Sequence, residues 1–265
     1  MQSLHLLYHE IRPTTSTYSY VVERAQFVRQ VDLFTHARKD ATAEEQAATR
    51  LWPEITFDDG HVSNLDVALP VLAARGLQAH FFITAGWTGS KRDYMDGAQL
   101  RALHQAGQHI GAHGWTHTLL THCTPAQLDH ELRDARTALE DTLGVAVQTM
   151  SLPGGRFNQR VLAACREAGY TTVYTSIPRP EAMAPANSQT LQTIGRVNLR
   201  GDMSLAQIEA LLTPGNAALK SQSRQYRIKA AAQALLGDTA YARLWALLNR
   251  HEPAPERMAE EVASR

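Results

Sequence analysis

The chain has 265 residues, 44% of them hydrophobic and 20% charged, enough to bury a large core and within the size range of a single α/β barrel. Its 26 basic and 26 acidic side chains cancel, which removes any general electrostatic pull toward nucleic acid or an anionic membrane. No apolar run is long enough for a membrane span, and the start Met1-Gln2-Ser3-Leu4-His5 lacks the basic and apolar regions of a secretory leader, so the chain as given reads as cytoplasmic. Cys123 and Cys165 are too few for a disulfide framework and are expected to be reduced.

In chain order, Leu4 to Tyr8 reads as a buried strand, and Ile55-Thr56-Phe57 as a second that ends at Asp58-Asp59-Gly60. The intervening segment, through Ala47, looks partly helical. From Asn64 to Arg75, Leu65, Leu69 and Leu72 recur at helical spacing, Pro70 predicts a kink or break, and Gly76 a stop. A strand from Ala79 to Ile83 follows. A helix then starts from an Asp96 cap and stops at Gly107, ahead of the strand His109 to Ala112. Thr124-Pro125-Ala126-Gln127 combines a capping box with proline at the first helical position; Leu128, Leu132, Ala135 and Leu139 share a face, and Gly144 closes the helix. Thr149 to Leu152 reads as a strand, Asn158 to Ala168 as a helix ended by Gly169, Thr171 to Tyr174 as a strand, and Gln192 to Val197 as another. About seven strands alternating with helices predict a parallel sheet closed into a barrel.

After Gly201 only helices are expected: Ser204 to Leu212, about Asn216 to Leu236, and Thr239 to Leu248, with a polar tail after Pro253. This divides the chain into a barrel over 1–200 and a C-terminal helical extension over 201–265, packed on the barrel.

Four groups of residues fall just after predicted strands: His9, the pair Asp58 and Asp59, the pair His113 and His117, and Pro153-Gly154-Gly155. In a β/α barrel those strand ends share one rim. If a helical turn begins at His113, the four-residue spacing puts His113 and His117 on one face, able to reach one ion. Asp59 supplies a carboxylate to complete a triad that leaves coordination positions open, as catalytic sites do. A zinc ion in such a site lowers the pKa of bound water from about 15.7 to roughly 7. Asp58, adjacent in sequence but free to point elsewhere, is the candidate general base, and the Gly154 N–H the candidate donor to a developing oxyanion. Each motif alone has an ordinary reading: Asp-Gly is a turn signal, a histidine pair is commonly solvated helix surface, and Pro-Gly-Gly is a loop. Their shared placement on one rim is what sets them apart. Trp115, within the histidine motif, is a candidate for stacking on a ligand, with packing as its ordinary reading. Lys220 to Lys229, with Arg224 and Arg227, reads mainly as a solvated helix face, with weak contact to an anionic lipid carrier as the alternative.

At these residues the sequence resembles the NodB-homology polysaccharide deacetylases, carbohydrate esterase family 4. Thr56-Phe57-Asp58-Asp59-Gly60 matches that family's first motif in full, and His113-Gly114-Trp115-Thr116-His117 its second. Leu69-Pro70-Val71-Leu72, Ala79-His80-Phe81-Phe82 and Ala106-Gly107 fit the connecting segments. The resemblance covers about residues 4 to 198 and implies a distorted (β/α)7 barrel of the NodB type. It also implies Asp58 as base, Asp59, His113 and His117 as metal ligands, and an N-acetylated glycan as substrate. Two departures stand out. Where the family's third motif carries an arginine, this chain has Ser151, so Arg156 or Arg196 becomes the candidate to orient the base. The late histidine that supplies the general acid is absent, but Leu7-Tyr8-His9 has its form at the first strand's end, resembling a permuted arrangement that makes His9 the acid. Zinc is the expected metal, with cobalt, nickel or manganese as alternatives. Hydrolysis of another amide, such as a cyclic ureide or a formamide, and a non-catalytic carbohydrate-binding barrel are the rival readings.

Overall fold

The computed structural model describes residues 2–39, 50–182 and 190–248. Two compact units emerge, Met1–Pro214 and Gly215–Arg265. In the first, the strands are β1 (Gln2–Tyr8), β2 (Glu10–Arg12), β3 (Val21–Glu23), β4 (Trp52–Phe57), β5 (Ala79–Ile83), β6 (His109–Ala112), β7 (Thr149–Ser151), β8 (Thr172–Tyr174), β9 (Glu181–Ala182), β10 (Gln192–Ile194) and β11 (Arg196–Asn198). A nine-stranded sheet runs β10-β8-β7-β6-β5-β4-β1-β11, with β9 antiparallel on β1. Every pairing along that run is parallel. β2 and β3 form a separate parallel pair.

The expected α/β barrel is present, nearly closed, and the way it closes differs from the sequence reading. Gln192 to Val197, expected as one strand, is two. Gly195 interrupts it, its N–H donating to the Glu181 carboxylate at 2.6 Å. β10 therefore pairs with β8 at one end of the run while β11 pairs with β1 at the other. One stretch of chain thus bridges both ends of the sheet, and the parallel direction puts the ends of β1, β4, β6 and β7 on one rim.

Buried aromatic rings hold β1, β4 and β5 together. Tyr8 stacks on Phe57 at 5.4 Å, Phe57 on Phe81 at 4.7 Å, and Phe27 of the helix Arg24–Lys39 meets Tyr8 edge-on at 5.2 Å. The Tyr8 hydroxyl donates to Gln30 of the same helix at 2.7 Å, satisfying the one polar atom in the cluster. The residues that follow β1 and β4 are thereby fixed in direction.

The predicted capping box at Thr124–Gln127 is formed, and the predicted Asp96 cap is also part of a capping box, with Gln99. Two helices deviate from a regular pitch. The Asn64–Ala68 segment is a π-helical turn that passes into the helix Leu69–Ala73, with Pro70 at its start, where a missing N–H is tolerated. The helix begun at Pro125 widens to a π-turn over His130–Asp134 before continuing as Ala135–Leu143, closed by Gly144 in the left-handed conformation.

The helix Leu205–Leu211 lies in the first unit. In the second, the two expected helices are one, Ala217–Leu248, unbroken at Gly237; an interior glycine costs a helix only about 1 kcal/mol. Lys220, Arg224, Arg227 and Lys229 are exposed on it. No helix among the described residues is long and apolar enough to cross a membrane. The helical expectation for 40–47 and the polar tail after Pro253 lie outside the described residues.

A second aromatic group gathers His5, His80, His109 and Tyr174. The His5 and Tyr174 rings lie 5.6 Å apart, and His80 lies 4.8 Å from His109 and 5.7 Å from Tyr174. Burial pushes His5 down from 6.5 to about 4, helped by the Arg196 charge, and pushes His80 down to about 3, helped by His109. Both are therefore neutral in the fold at pH 7. As pH falls below about 6.5 the unfolded chain takes up protons that the fold refuses, so stability is lost progressively toward pH 4. Urea unfolding midpoints are expected to fall between pH 7 and pH 5, and a His80→Phe variant to show a shallower decline; an unchanged slope would contradict the assignment.

Candidate catalytic and metal site

The Asp58 N–H donates to Tyr8 O at 3.0 Å, which carries the β1–β4 ladder one residue past the strand. Asp59 and Gly60 then both turn left-handed, with φ of 75° and 87°. Asp tolerates that region better than most side chains, yet it remains costly and is found where surrounding structure imposes it. The turn separates two adjacent carboxylates: Asp58 is 3% exposed and points into the barrel, whereas the Asp59 side chain stands at the mouth.

Asp58 meets Arg196 in a two-pronged ion pair, Nη1 to Oδ1 at 2.8 Å and Nη2 to Oδ2 at 2.9 Å. Arg196 is itself 1% exposed. Its remaining N–H groups reach Thr175 O from Nε at 3.3 Å, Thr56 Oγ1 at 3.4 Å and Ser151 Oγ at 2.7 Å. All the donor directions of a guanidinium are used, the condition under which a buried charge is tolerated. The Ser151 hydroxyl accepts from Arg196 and donates to Asp58 Oδ2 at 2.9 Å. Burial alone would raise the Asp58 carboxyl; the Arg196 charge, then His113, outweigh it and hold Asp58 below the ordinary carboxylate range.

His113 and His117 do not share a helix face. They lie in a loop after β6 that turns left-handed at Gly114 (φ 77°) and at His117 (φ 66°), bringing the rings 4.9 Å apart. Nε2 of each lies 3.4 Å from Asp59 Oδ1, and one donor atom from each of the three residues falls within 4.8 Å of the others. His113 Nδ1 is 2.8 Å from Ser151 O. A carbonyl only accepts, so that nitrogen carries a proton, and in the neutral form of the ring the Nε2 lone pair faces Asp59. Burial pushes His117 down to about 4 against the pull of Asp59, so it is neutral at pH 7. Burial also opposes a charge on His113, but Asp58 and then Asp59 more than offset it and raise that ring. Asp59 Oδ1 is buried without a hydrogen-bond partner. Lone pairs facing a bare carboxylate oxygen repel unless a cation lies among them, so this donor set fits a divalent metal ion.

The backbone of His9 is held by Asn64, whose Nδ2 donates to His9 O at 2.9 Å from the first π-turn. Its ring meets Tyr20 edge-on at 5.0 Å, and its Nδ1 is buried without a partner. Burial pushes the ring's pKa down, against the pull of Asp59 and then Asp58. His9 therefore stands within electrostatic reach of both carboxylates. Gly154 lies in the 3-10 turn Pro153–Gly155 after β7 at φ 63°, with Leu119 packed so close that a Cβ would meet it at 2.7 Å. The guanidinium that clasps Asp58 is that of Arg196; Arg156 follows the 3-10 turn in extended backbone. Trp115 sets its ring 5.1 Å from His130 and its indole nitrogen beside Gly86, so its ring packs on neighbouring helical turns. Trp87 is the tryptophan whose ring borders the ligands, 5.4 Å from His117, with Lys91 Nζ 3.5 Å above it and Tyr94 at 4.6 Å.

Sequence reasoning missed Ser151 as a link and Asn64 and Glu131 as supports. Only Ser151 carried a signal, as a hydroxyl in the place where an arginine was expected.

The nearly closed parallel barrel, with paired acids and histidines on one rim, is similar to known proteins in both sequence and fold. Residues 53–173 match the family model described as polysaccharide deacetylase. Two curated relatives are YxkH of Bacillus subtilis, provisionally named a polysaccharide deacetylase, 30% identical over 57% of this chain and 52% of that protein, and a chitooligosaccharide deacetylase of Bradyrhizobium, 27% identical over 53% of this chain and 63% of that protein. The matched segment thus spans about half to under two thirds of those relatives. Among solved structures, the deacetylase PplD of Streptococcus pyogenes in complex with acetate is similar with a TM-score of 0.68 at 19% identity, covering 81% of this chain and 99% of that one. IcaB from Ammonifex degensii gives 0.63 at 22% identity, covering 79% and 96%. At such identities the structures show the fold. The resemblance to the NodB-homology polysaccharide deacetylases therefore holds in family model, curated sequence and fold.

Removing one partner of a buried, hydrogen-bonded ion pair leaves an uncompensated charge and costs about 3–5 kcal/mol. Arg196→Ala is expected to lose stability on that scale in denaturant titrations, and Arg196→Met,Asp58→Asn together to lose less than the single change. Equal losses would show that the two charges do not depend on each other.

Proposed function

We propose that this chain is a divalent-metal-dependent carbohydrate N-deacetylase, with zinc as the preferred ion, acting on an N-acetylated amino sugar in a polysaccharide, oligosaccharide or carrier-linked glycan. The observation that carries the reading is the division of labour at one rim. A buried carboxylate oxygen without a hydrogen-bond partner and two imidazole nitrogens converge, beside a second carboxylate clamped by an arginine. The family match and the deacetylase names of the relatives supply the substrate class.

A cation held by Asp59, His113 and His117 would supply Lewis acidity to the amide carbonyl and to water. Asp58, kept ionised and immobile by Arg196 and Ser151, takes the proton from the attacking water as the new C–O bond forms. The Gly154 N–H, offered by a turn that permits close backbone approach, donates to the oxyanion that develops on the carbonyl oxygen. His9, on the opposite side of the rim at the end of β1, hands a proton to the amide nitrogen as the C–N bond breaks, so the products are acetate and a free amino sugar. The clamp matters to the chemistry because Asp58 is offered to water by one face only, its other contacts being taken. Trp87 and Tyr94 border the ligand side of the mouth and give an apolar wall for the sugar face.

Acetate release from N-acetylated monosaccharides, oligosaccharides and carrier-linked substrates tests this reading, using zinc-loaded protein. Asp58→Asn is expected to lower kcat by about 10²- to 10⁴-fold while zinc stays bound, and His117→Ala to lose both zinc and activity. An Asp58→Asn protein with wild-type turnover, or release of ammonia or formate in place of acetate, would refute it.

A further inference from the structure

Glutamate is almost never fully buried without a specific reason, and Glu131 is 3% exposed. It sits in the π-turn His130–Asp134. The sequence His130-Glu131-Leu132-Arg133-Asp134 contains neither proline nor glycine, so nothing local asks the helix to widen there. π-turns inside helices recur at functional sites, where they redirect a side chain. Here the redirected side chain reaches the loop after β6. Glu131 Oε2 accepts from the Trp115 N–H at 2.7 Å and the Thr116 N–H at 3.0 Å, and Oε1 from the Thr116 hydroxyl at 2.5 Å and the Thr116 N–H at 3.2 Å. All these bonds end on the two residues midway between His113 and His117. Successive N–H groups beside a left-handed glycine form a concave anion-binding nest, and the carboxylate fills it. Gly114 is required for that fit, since a Cβ there would lie 2.8 Å from Glu131 Oε2.

From this we infer that Glu131 is a positioning residue for the metal ligands: its carboxylate fixes the loop so that His117, and with it the donor triad, is formed before any ion arrives. The inference rests on the reading of Asp59, His113 and His117 as ligands. Its physical basis is strain. His117 holds a positive φ at a non-glycine residue, which costs of order 1–3 kcal/mol and persists only where surroundings impose it. The Glu131 nest, ending one residue earlier, is the group that imposes it. Without the carboxylate, the part-buried Trp115 and Thr116 N–H groups lose their charged acceptor and the loop relaxes toward ordinary φ values, carrying the His117 ring away from Asp59.

Zinc titration calorimetry on the full chain tests this, with the melting temperature of the metal-free protein measured alongside. Glu131→Gln is expected to weaken zinc binding by about 10- to 100-fold, the range seen when groups that orient ligands are removed, and to shift the visible spectrum of the cobalt-loaded protein. Thr116→Val, which removes only the hydroxyl bond, is expected to weaken zinc binding several-fold, and it serves if the glutamine variant does not fold. Wild-type zinc affinity in both variants, with only a lower melting temperature, overturns the inference and leaves the ligand assignment standing. A wild-type chain that binds no zinc overturns the ligand assignment itself.

Discussion

The site is organised around the buried pair of Asp58 and Arg196. Two opposite charges inside a barrel cost several kcal/mol each to dehydrate, and their attraction offsets this only when the geometry is two-pronged and every remaining donor finds an acceptor. Both conditions are met here, with Thr56, Ser151 and Thr175 taking the guanidinium's other hydrogens. The pair also spans β1, linking the two strands that flank it. Arg196 comes from β11, the strand that closes the sheet against β1, and Asp58 from the end of β4. Barrel closure and the orientation of the Asp58 carboxylate are thus one structural event.

Ser151 joins the two halves of the site. Its hydroxyl lies between Asp58 and Arg196, and its carbonyl fixes the ring nitrogen of His113. Outside this centre, two π-turns perform matching tasks on opposite sides of the rim: Asn64 holds the backbone of His9, and Glu131 holds the loop between the histidines. The left-handed conformations at Asp59 and His117 are the strained points that these buried supports surround. Strain at the reacting residues is balanced by well-satisfied hydrogen bonds one layer below.

The fold was legible where local physics decides it. Capping boxes at Asp96 and Thr124, glycine stops at Gly76 and Gly144, and short apolar runs before each acid or histidine all carry their own signal. The histidine spacing was legible but its geometry was not: four positions suggest a helix face, whereas His117 sits at positive φ in a loop whose preceding N–H groups are held by Glu131 from a helix distant in sequence. Closure was hidden because Gly195 splits a stretch whose composition reads as one strand. The choice between Arg156 and Arg196 likewise depends on register. Arg196 pairs with His5 and faces inward while Val197 is buried on the other side, and no property of either arginine's immediate neighbours encodes that pairing. An arginine in the alternation of a barrel strand is nonetheless a clue, since it must meet a carboxylate inside. The π-turns leave no mark in composition, because neither holds a proline or a glycine.

The central claim is that Asp59, His113 and His117 together hold one metal ion beside a clamped Asp58. Anomalous scattering from a crystal of the zinc-loaded chain, recorded on both sides of the zinc edge, tests it most directly. The account requires a single strong peak bonded to Asp59 Oδ1 and to Nε2 of both histidines, with Asp58 still paired to Arg196. No peak at that position, or a zinc ion bound through Asp58 with Arg196 displaced, would contradict it.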